Sequence, residues 1–131
     1  MLLKFGLDVV LLANLPATGH TIIEKLEHHL SDSGNVGFAC VLLTPDDIGH
    51  RKDSPADARP RARQNVILEL GMVLARLGRA RVAILTQHDI ERPSDIDGLL
   101  YLPYKSSVNE VKTALFKELK AAGYQVDPGA L

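Results

Sequence analysis

The chain has 131 residues, 46% of them hydrophobic and 24% charged, with a net charge of -1 and one cysteine. That describes one domain with enough apolar content for a core and no electrostatic case for nucleic acid or a membrane surface. No apolar run reaches the ~18 residues of a spanning helix, the N-terminus lacks signal-peptide features, and the lone Cys40 fits a reducing compartment, so a cytoplasmic location is expected.

Met1 to Gly6 reads as the tail of a helix stopped at Gly6. Asp8 to Ala13 is a continuous apolar run of strand length, followed by a loop over Asn14 to Gly19. His20 to Leu30 carries Ile22, Ile23, Leu26 and Leu30 at helical spacing, with Thr21 able to cap the start. Ser31 to Asn35 is a turn. Val36 to Leu43 is the clearest strand, and Asp46 to Arg59 a long polar loop of the kind that is usually functional or mobile.

A helix is expected from Pro60 to Leu77-Gly78. It places Arg61, Asn65 and Glu69 four residues apart in one polar row, beside an apolar stripe of Val66, Leu70, Val73, Leu74 and Leu77. Glu69 sits at the border of row and stripe, where a half-buried carboxylate is costly unless something uses it. Arg81 to Thr86 is a third strand, Gln87 to Gly98 a second polar loop, and Leu99 to Leu102 a short fourth strand stopped by Pro103. Asn109 to Ala122 is a closing helix ended by Gly123, and the tail to Leu131 is expected to be loosely ordered.

Strands alternating with helices imply an α/β fold, a doubly wound parallel sheet in three layers. Ligands of such sheets bind beyond the carboxyl ends of the strands. The loops there are Asn14–Gly19, Thr44–Arg59 and Gln87–Gly98, so Glu69, Arg61 and the acidic loop are expected to converge on one cleft.

The sequence has no phosphate-binding P-loop, dinucleotide fingerprint or nucleophile elbow. None of its five histidines has a metal-ligand spacing, so no metal is expected. Cys40, in a buried strand, reads as a core thiol. Arg59, Arg61 and Arg63 at a helix start suit an anion, or equally a solvated patch pairing with Asp53 or Asp57. Glu69 has a plain alternative too, as a partner of Arg76 or Arg63. Asp95 and Asp97 on their own make an Asx-type turn, and Thr44-Pro45-Asp46-Asp47 an ordinary strand exit.

The segments Val-Gly-Phe-Ala-Cys-Val-Leu-Leu-Thr-Pro-Asp-Asp (36–47), Arg-Pro-Arg-Ala-Arg-Gln-Asn-Val-Ile-Leu-Glu-Leu-Gly (59–71), Leu-Gly-Arg-Ala-Arg-Val (77–82) and Pro-Ser-Asp-Ile-Asp-Gly-Leu-Leu-Tyr (93–101) resemble one family. Residues 19–25 extend the likeness. The family is the bacterial TIR-like, nucleotide-binding domain of anti-phage effectors, including TIR–STING fusions and cyclic-nucleotide-activated TIR effectors. The resemblance implies a flavodoxin-like fold and NAD+ glycohydrolase activity, with NAD+ as substrate rather than cofactor. It makes Glu69 the catalytic carboxylate and Asp95 a further contributor, and it implies activation by homo-oligomer assembly. Arg61 or Arg63 would hold the pyrophosphate, Asn65 would orient Glu69 or the ribose, and Asp46 and Asp97 would complete the substrate site. Family members begin with a further strand before the position of Met1, so the resemblance also implies a single domain over residues 1–131 shortened at its N-terminus.

Nicotinamide leaves NAD+ as a neutral group, so its departure needs no general acid and one carboxylate can suffice. Two other readings stand beside this one: a non-catalytic TIR module for nucleotide binding or self-association, and a nucleoside deoxyribosyltransferase-like enzyme.

Overall fold

The computed structural model describes residues 1–15, 21–87, 89–96 and 98–131. Its architecture follows from β4 (Val82–Gln87), whose first five residues are all buried, as expected of a strand covered on both faces. β1 (Ala39–Leu43) and β5 (Tyr101–Tyr104) pair with it in parallel, giving the order β1-β4-β5. The register runs from Ala39 opposite Val82 to Leu43 opposite Thr86, and from Ile84 opposite Tyr101 to Gln87 opposite Tyr104.

Alternation along β4 feeds two clusters on opposite faces. Val82 and Ile84 join Leu26, Leu30, Leu43, Leu70 and Val73, which brings α1 (Ile22–Leu30) and α2 (Gln64–Leu77) onto one face. Ala83 and Leu85 join Phe5, Leu102, Leu115, Phe116 and Leu119, which seats α3 (Lys112–Ala121) on the other. The result is a three-layer, TIR-like flavodoxin architecture. A two-stranded antiparallel hairpin, β2 (Asp47–Gly49) with β3 (Arg59–Arg61), adds to it between β1 and α2.

Several expectations hold. Thr21 caps α1 in a reciprocal box, accepting from the Glu24 amide at 3.2 Å while its own amide donates to Glu24 Oε2 at 2.6 Å. Gly6 and Gly123 both take the left-handed backbone that ends a turn or helix there.

Other expectations are corrected. Asp8 to Ala13 forms no strand. Leu7 packs on one cluster and Leu12 on the other, so the run is spent crossing between the two faces of the sheet. Val10 and Leu11 are left exposed. The expected loop over Asp46 to Arg59 contains β2 and begins β3. Pro60 lies in β3 and the helix starts at Gln64, so Arg61 stands on a strand and not in the helical row with Asn65 and Glu69. The fourth strand runs two residues later than expected and contains Pro103, which is tolerated because β5 is an edge strand. The C-terminal tail is packed: Val126 is buried, and the Asp127 amide donates to the Phe5 carbonyl at 3.1 Å. The expected Asn14–Gly19 loop lies largely outside the described residues.

Two consequences for stability follow. Leu70, 1% exposed, anchors α2 to the sheet, and beside it Gly71 faces open space. Leu70→Ala is expected to cost about 2–5 kcal/mol, and Gly71→Ala to add about 0.5–1 kcal/mol, both read from urea unfolding midpoints.

The turn before α3 gives a pH signature. Glu110 accepts from the Lys105, Ser106 and Ser107 amides and the Ser106 hydroxyl at 2.9–3.1 Å, and these bonds lower its pKa to about 2. A folded pKa below the unfolded one stabilises the fold above the ordinary carboxyl range, and the benefit fades as pH falls toward about 2. Glu110→Gln should therefore unfold at lower urea at pH 7, with the gap from the parent closing as the pH drops through that window.

Candidate functional site

The carboxyl edge of the sheet is built by three connections: the hairpin after β1, the start of α2, and the loop after β4. β3 knits them together. Asp47 of β2 lies opposite Arg61 on one side, and on the other Glu91 bridges to Arg61, with the Glu91 amide donating to the Pro60 carbonyl at 2.8 Å.

Helix geometry decides which side chains share a flank. At 100° per residue, Glu69 lies about 20° from Arg76 and about 40° from Asn65, but about 160° from Ile67. The Arg76 Nε donates to the Leu30 carbonyl at 2.5 Å, and its guanidinium pairs with Asp32. The Asn65–Glu69–Arg76 flank therefore faces α1. The opposite flank, through Ile67 and the preceding Gln64, lines a cavity of about 290 Å³ with Arg61, Glu91, Arg92 and Pro93. A second cavity of about 460 Å³ shares Arg61 and Glu91 and adds His50, Arg51, Asp57 and Arg59.

So the structure separates what the sequence row joined. Asn65 and Glu69 stand together on one flank, and Arg61 stands between two cavities on the other. Asp46 and Arg63 come together, with Arg63 Nε 3.9 Å from Asp46 Oδ2 and the Thr44 hydroxyl donating to the same oxygen at 2.5 Å. Arg63 is largely exposed and Asp46 partly so at the approach to α2. Asp95 is exposed in the short turn Ser94–Ile96, while Asp97 lies outside the described residues.

Glu69 is half-buried, and no hydrogen bond or ion pair holds it among the described residues. Burial raises its carboxyl above the ordinary glutamate range. Neither pairing considered from the sequence occurs: Arg76 binds Leu30 and Asp32, and Arg63 binds Asp46. Cys40 packs against the α3-side cluster, and burial pushes its thiol up to about 11, an inert core setting.

Sequence reading missed Gly49, Arg51 and Arg92. A Cβ on Gly49 would stand 2.5 Å from Arg61 Nη1 and 2.6 Å from its Cδ and Cζ, so only glycine lets Arg61 lie across β2. The Arg92 guanidinium lies 4.6 Å from the Tyr101 ring centroid, a cation–π contact. A hairpin this short, with glycine in one strand and proline in the other, carries almost no strand propensity.

This is an α/β domain whose candidate residues gather at the carboxyl edge of a parallel sheet. The chain belongs to the family of CAP12/Pycsar effector protein TIR domains, whose family model matches residues 1–106. It is 44% identical over 124 residues to the uncharacterized protein YuaY of Escherichia coli, covering 95% of this chain and 40% of that protein. It is 32% identical over 125 residues to protein tirC of Dictyostelium discoideum, covering 87% and 60%. To the Pycsar effector protein XpPycTIR of Xanthomonas perforans it is 38% identical over 85 residues, covering 63% and 26%. The chain thus spans between about a quarter and three fifths of the length of these relatives.

The raised pKa of Glu69 has a definite sign. Because the folded state holds its proton to higher pH, stability falls as pH rises through the window above the ordinary glutamate value. Glu69→Gln is expected to unfold at higher urea than the parent at pH 7. That advantage should vanish below about pH 4, where the folded and unfolded states are both protonated.

Proposed function

We propose that this domain cleaves NAD+ to nicotinamide and ADP-ribose, or a cyclic form of it, as the effector part of an anti-phage defence protein. The observation that carries the reading is Glu69: half-buried, unpaired among the described residues, destabilised as a carboxylate, and about one and a half turns into the helix that rises from the sheet's carboxyl edge. Membership in a family of effector TIR domains supplies the context.

In this reading Glu69 hydrogen-bonds the ribose hydroxyls and stabilises the positive charge that develops at the anomeric carbon. The C–N bond breaks with its electron pair passing to the pyridinium nitrogen, so nicotinamide departs neutral. Water, or an internal nucleophile for a cyclic product, then adds to that carbon and releases a proton. Asn65, on the same flank, orients Glu69 or the ribose. Arg63 and Asp46 stand at the approach, where the free amides of the helix start also favour a phosphate. Arg61 and Asp95 take no part in this arrangement: Arg61 lines the cavities on the other flank of the helix, and Asp95 belongs to the same loop as Arg92 and Pro93, which line one of them.

One observation favours a second reading, a self-associating module without turnover. The outer edge of β1 has no strand partner among the described residues, and Leu42 on that strand is 47% exposed, with Val10 and Leu11 also uncovered. An unpaired strand edge invites another strand, from a further segment or a second copy.

Nicotinamide release from NAD+, followed chromatographically at several protein concentrations, separates the readings. Turnover that steepens with concentration and falls about 10²–10³-fold in Glu69→Gln supports NAD+ cleavage by an assembled form. Activity that survives the substitution removes Glu69 from the mechanism, and NAD+ binding without turnover favours the second reading.

A further inference from the structure

The side of α2 that faces away from the sheet is unlike an ordinary solvent face. At about 100° per residue, Gln64, Leu68, Gly71, Met72 and Ala75 lie about 100–160° around the helix from the buried Leu70. None of the five is charged, all but Met72 are exposed, and Leu68 is 54% exposed. The exposed positions of α1 and α3 carry the usual charges, Glu24 and Glu27 on one, Lys117 and Lys120 on the other. A helix that lacks charge on the side turned from its own core has the pattern of one covered on both sides.

Gly71 is a second, independent observation. It stands mid-helix, where glycine is less favourable than alanine. Nothing inside the chain requires it: its φ is not positive, and a Cβ there would meet no atom within 4 Å. A close approach from outside the chain gives it a reason. Along the rows four residues apart, Gln64, Leu68 and Met72 form a ridge, and Gly71 and Ala75 floor the groove beside it. Such a surface complements itself. About a twofold axis between Gly71 and Met72, with the helices antiparallel, Leu68 enters the space over the partner's Ala75 and Met72 that over the partner's Gly71, each contact occurring twice.

We infer that the outward face of α2 is a self-association surface on which a second copy of this chain docks through its own α2, ridge into groove, at a crossing angle of about 50°. The face has 14 residues and so spans ~21 Å. At ~10 Å wide it falls well short of the ~800 Å² per partner of a standard interface, so the association is weak and concentration-dependent. It supplies a surface for the assembly invoked in NAD+ cleavage, distinct from the β1 edge. It does not rest on that chemistry, because Glu69 lies on the flank toward α1.

Sedimentation velocity on the whole chain over a range of concentrations reads the association without NAD+, and a monomer–dimer equilibrium is expected. Gly71→Gln, whose side chain enters open space in the single chain, should keep or raise the urea midpoint of the dilute protein yet weaken dimerisation at least about tenfold. Leu68→Ala leaves a hole and Ala75→Leu overfills the groove, so each should weaken the dimer. Combined, they should restore it, because leucine again meets alanine across the axis. Leu42→Lys, on the β1 edge, should leave the dimer intact. A dimer that does not turn over NAD+ supports this inference and removes only the enzymatic reading. A chain monomeric at every concentration, an association indifferent to Gly71→Gln, one lost with Leu42→Lys, or a double variant that fails to recover would each overturn it.

Discussion

Everything in this molecule is hung on the burial of β4. Five consecutive residues, Val82 to Thr86, are almost without solvent contact, and a strand buried on both faces needs pairing on both edges and a layer on each side. β1 and β5 supply the edges, α1 and α2 one layer, α3 and the terminal turns the other. The register of β4 against β1 then sets where β1 ends, and hence where the hairpin and the start of α2 emerge. The position of Glu69 and the position of Arg61 both descend from that one alignment.

The elements legible in the sequence are those whose pattern matches their surroundings. Val82–Gln87, in the middle of the sheet, and Ala39–Leu43, paired beside it, are apolar runs, and α1 advertises itself through Thr21, Glu24 and its spaced leucines and isoleucines. Failures came where tertiary context overrode local pattern. Asp8 to Ala13 has strand composition, but a strand needs a partner along its edge, and among the described residues this segment has none. Arg59-Pro60-Arg61 looks like a helix start because proline is at home in a first turn. Pairing to Asp47–Gly49 and to Glu91 claimed those residues for a strand instead. Such pairing is non-local, and spacing alone cannot reveal it.

The same distinction holds at the candidate sites. Glu69 was readable because its awkwardness is local, a carboxylate on the edge of an apolar helical stripe, and the structure finds it half-buried and without a partner among the described residues. The association of Arg61 with Gly49, Arg51 and Arg92 was not readable, since it joins three segments far apart in sequence. The row Arg61–Asn65–Glu69 assumed one continuous helix. Starting the helix at Gln64 breaks that row and assigns its members to opposite flanks.

α2 consequently acts as a partition. It is roughly 10–12 Å across, so a ligand beside Ile67 and one beside Glu69 would be kept apart by the full width of the helix, and at physiological salt their charges would be largely screened from one another. Only two residues, Ala62 and Arg63, separate the end of β3 from the start of α2, and Ala62 is buried. With so short a tether and a buried Ala62 pinning it, β3 and the first turn of α2 are fixed to the core as one unit, and a proline or glycine inserted there would be felt on both flanks of the helix at once.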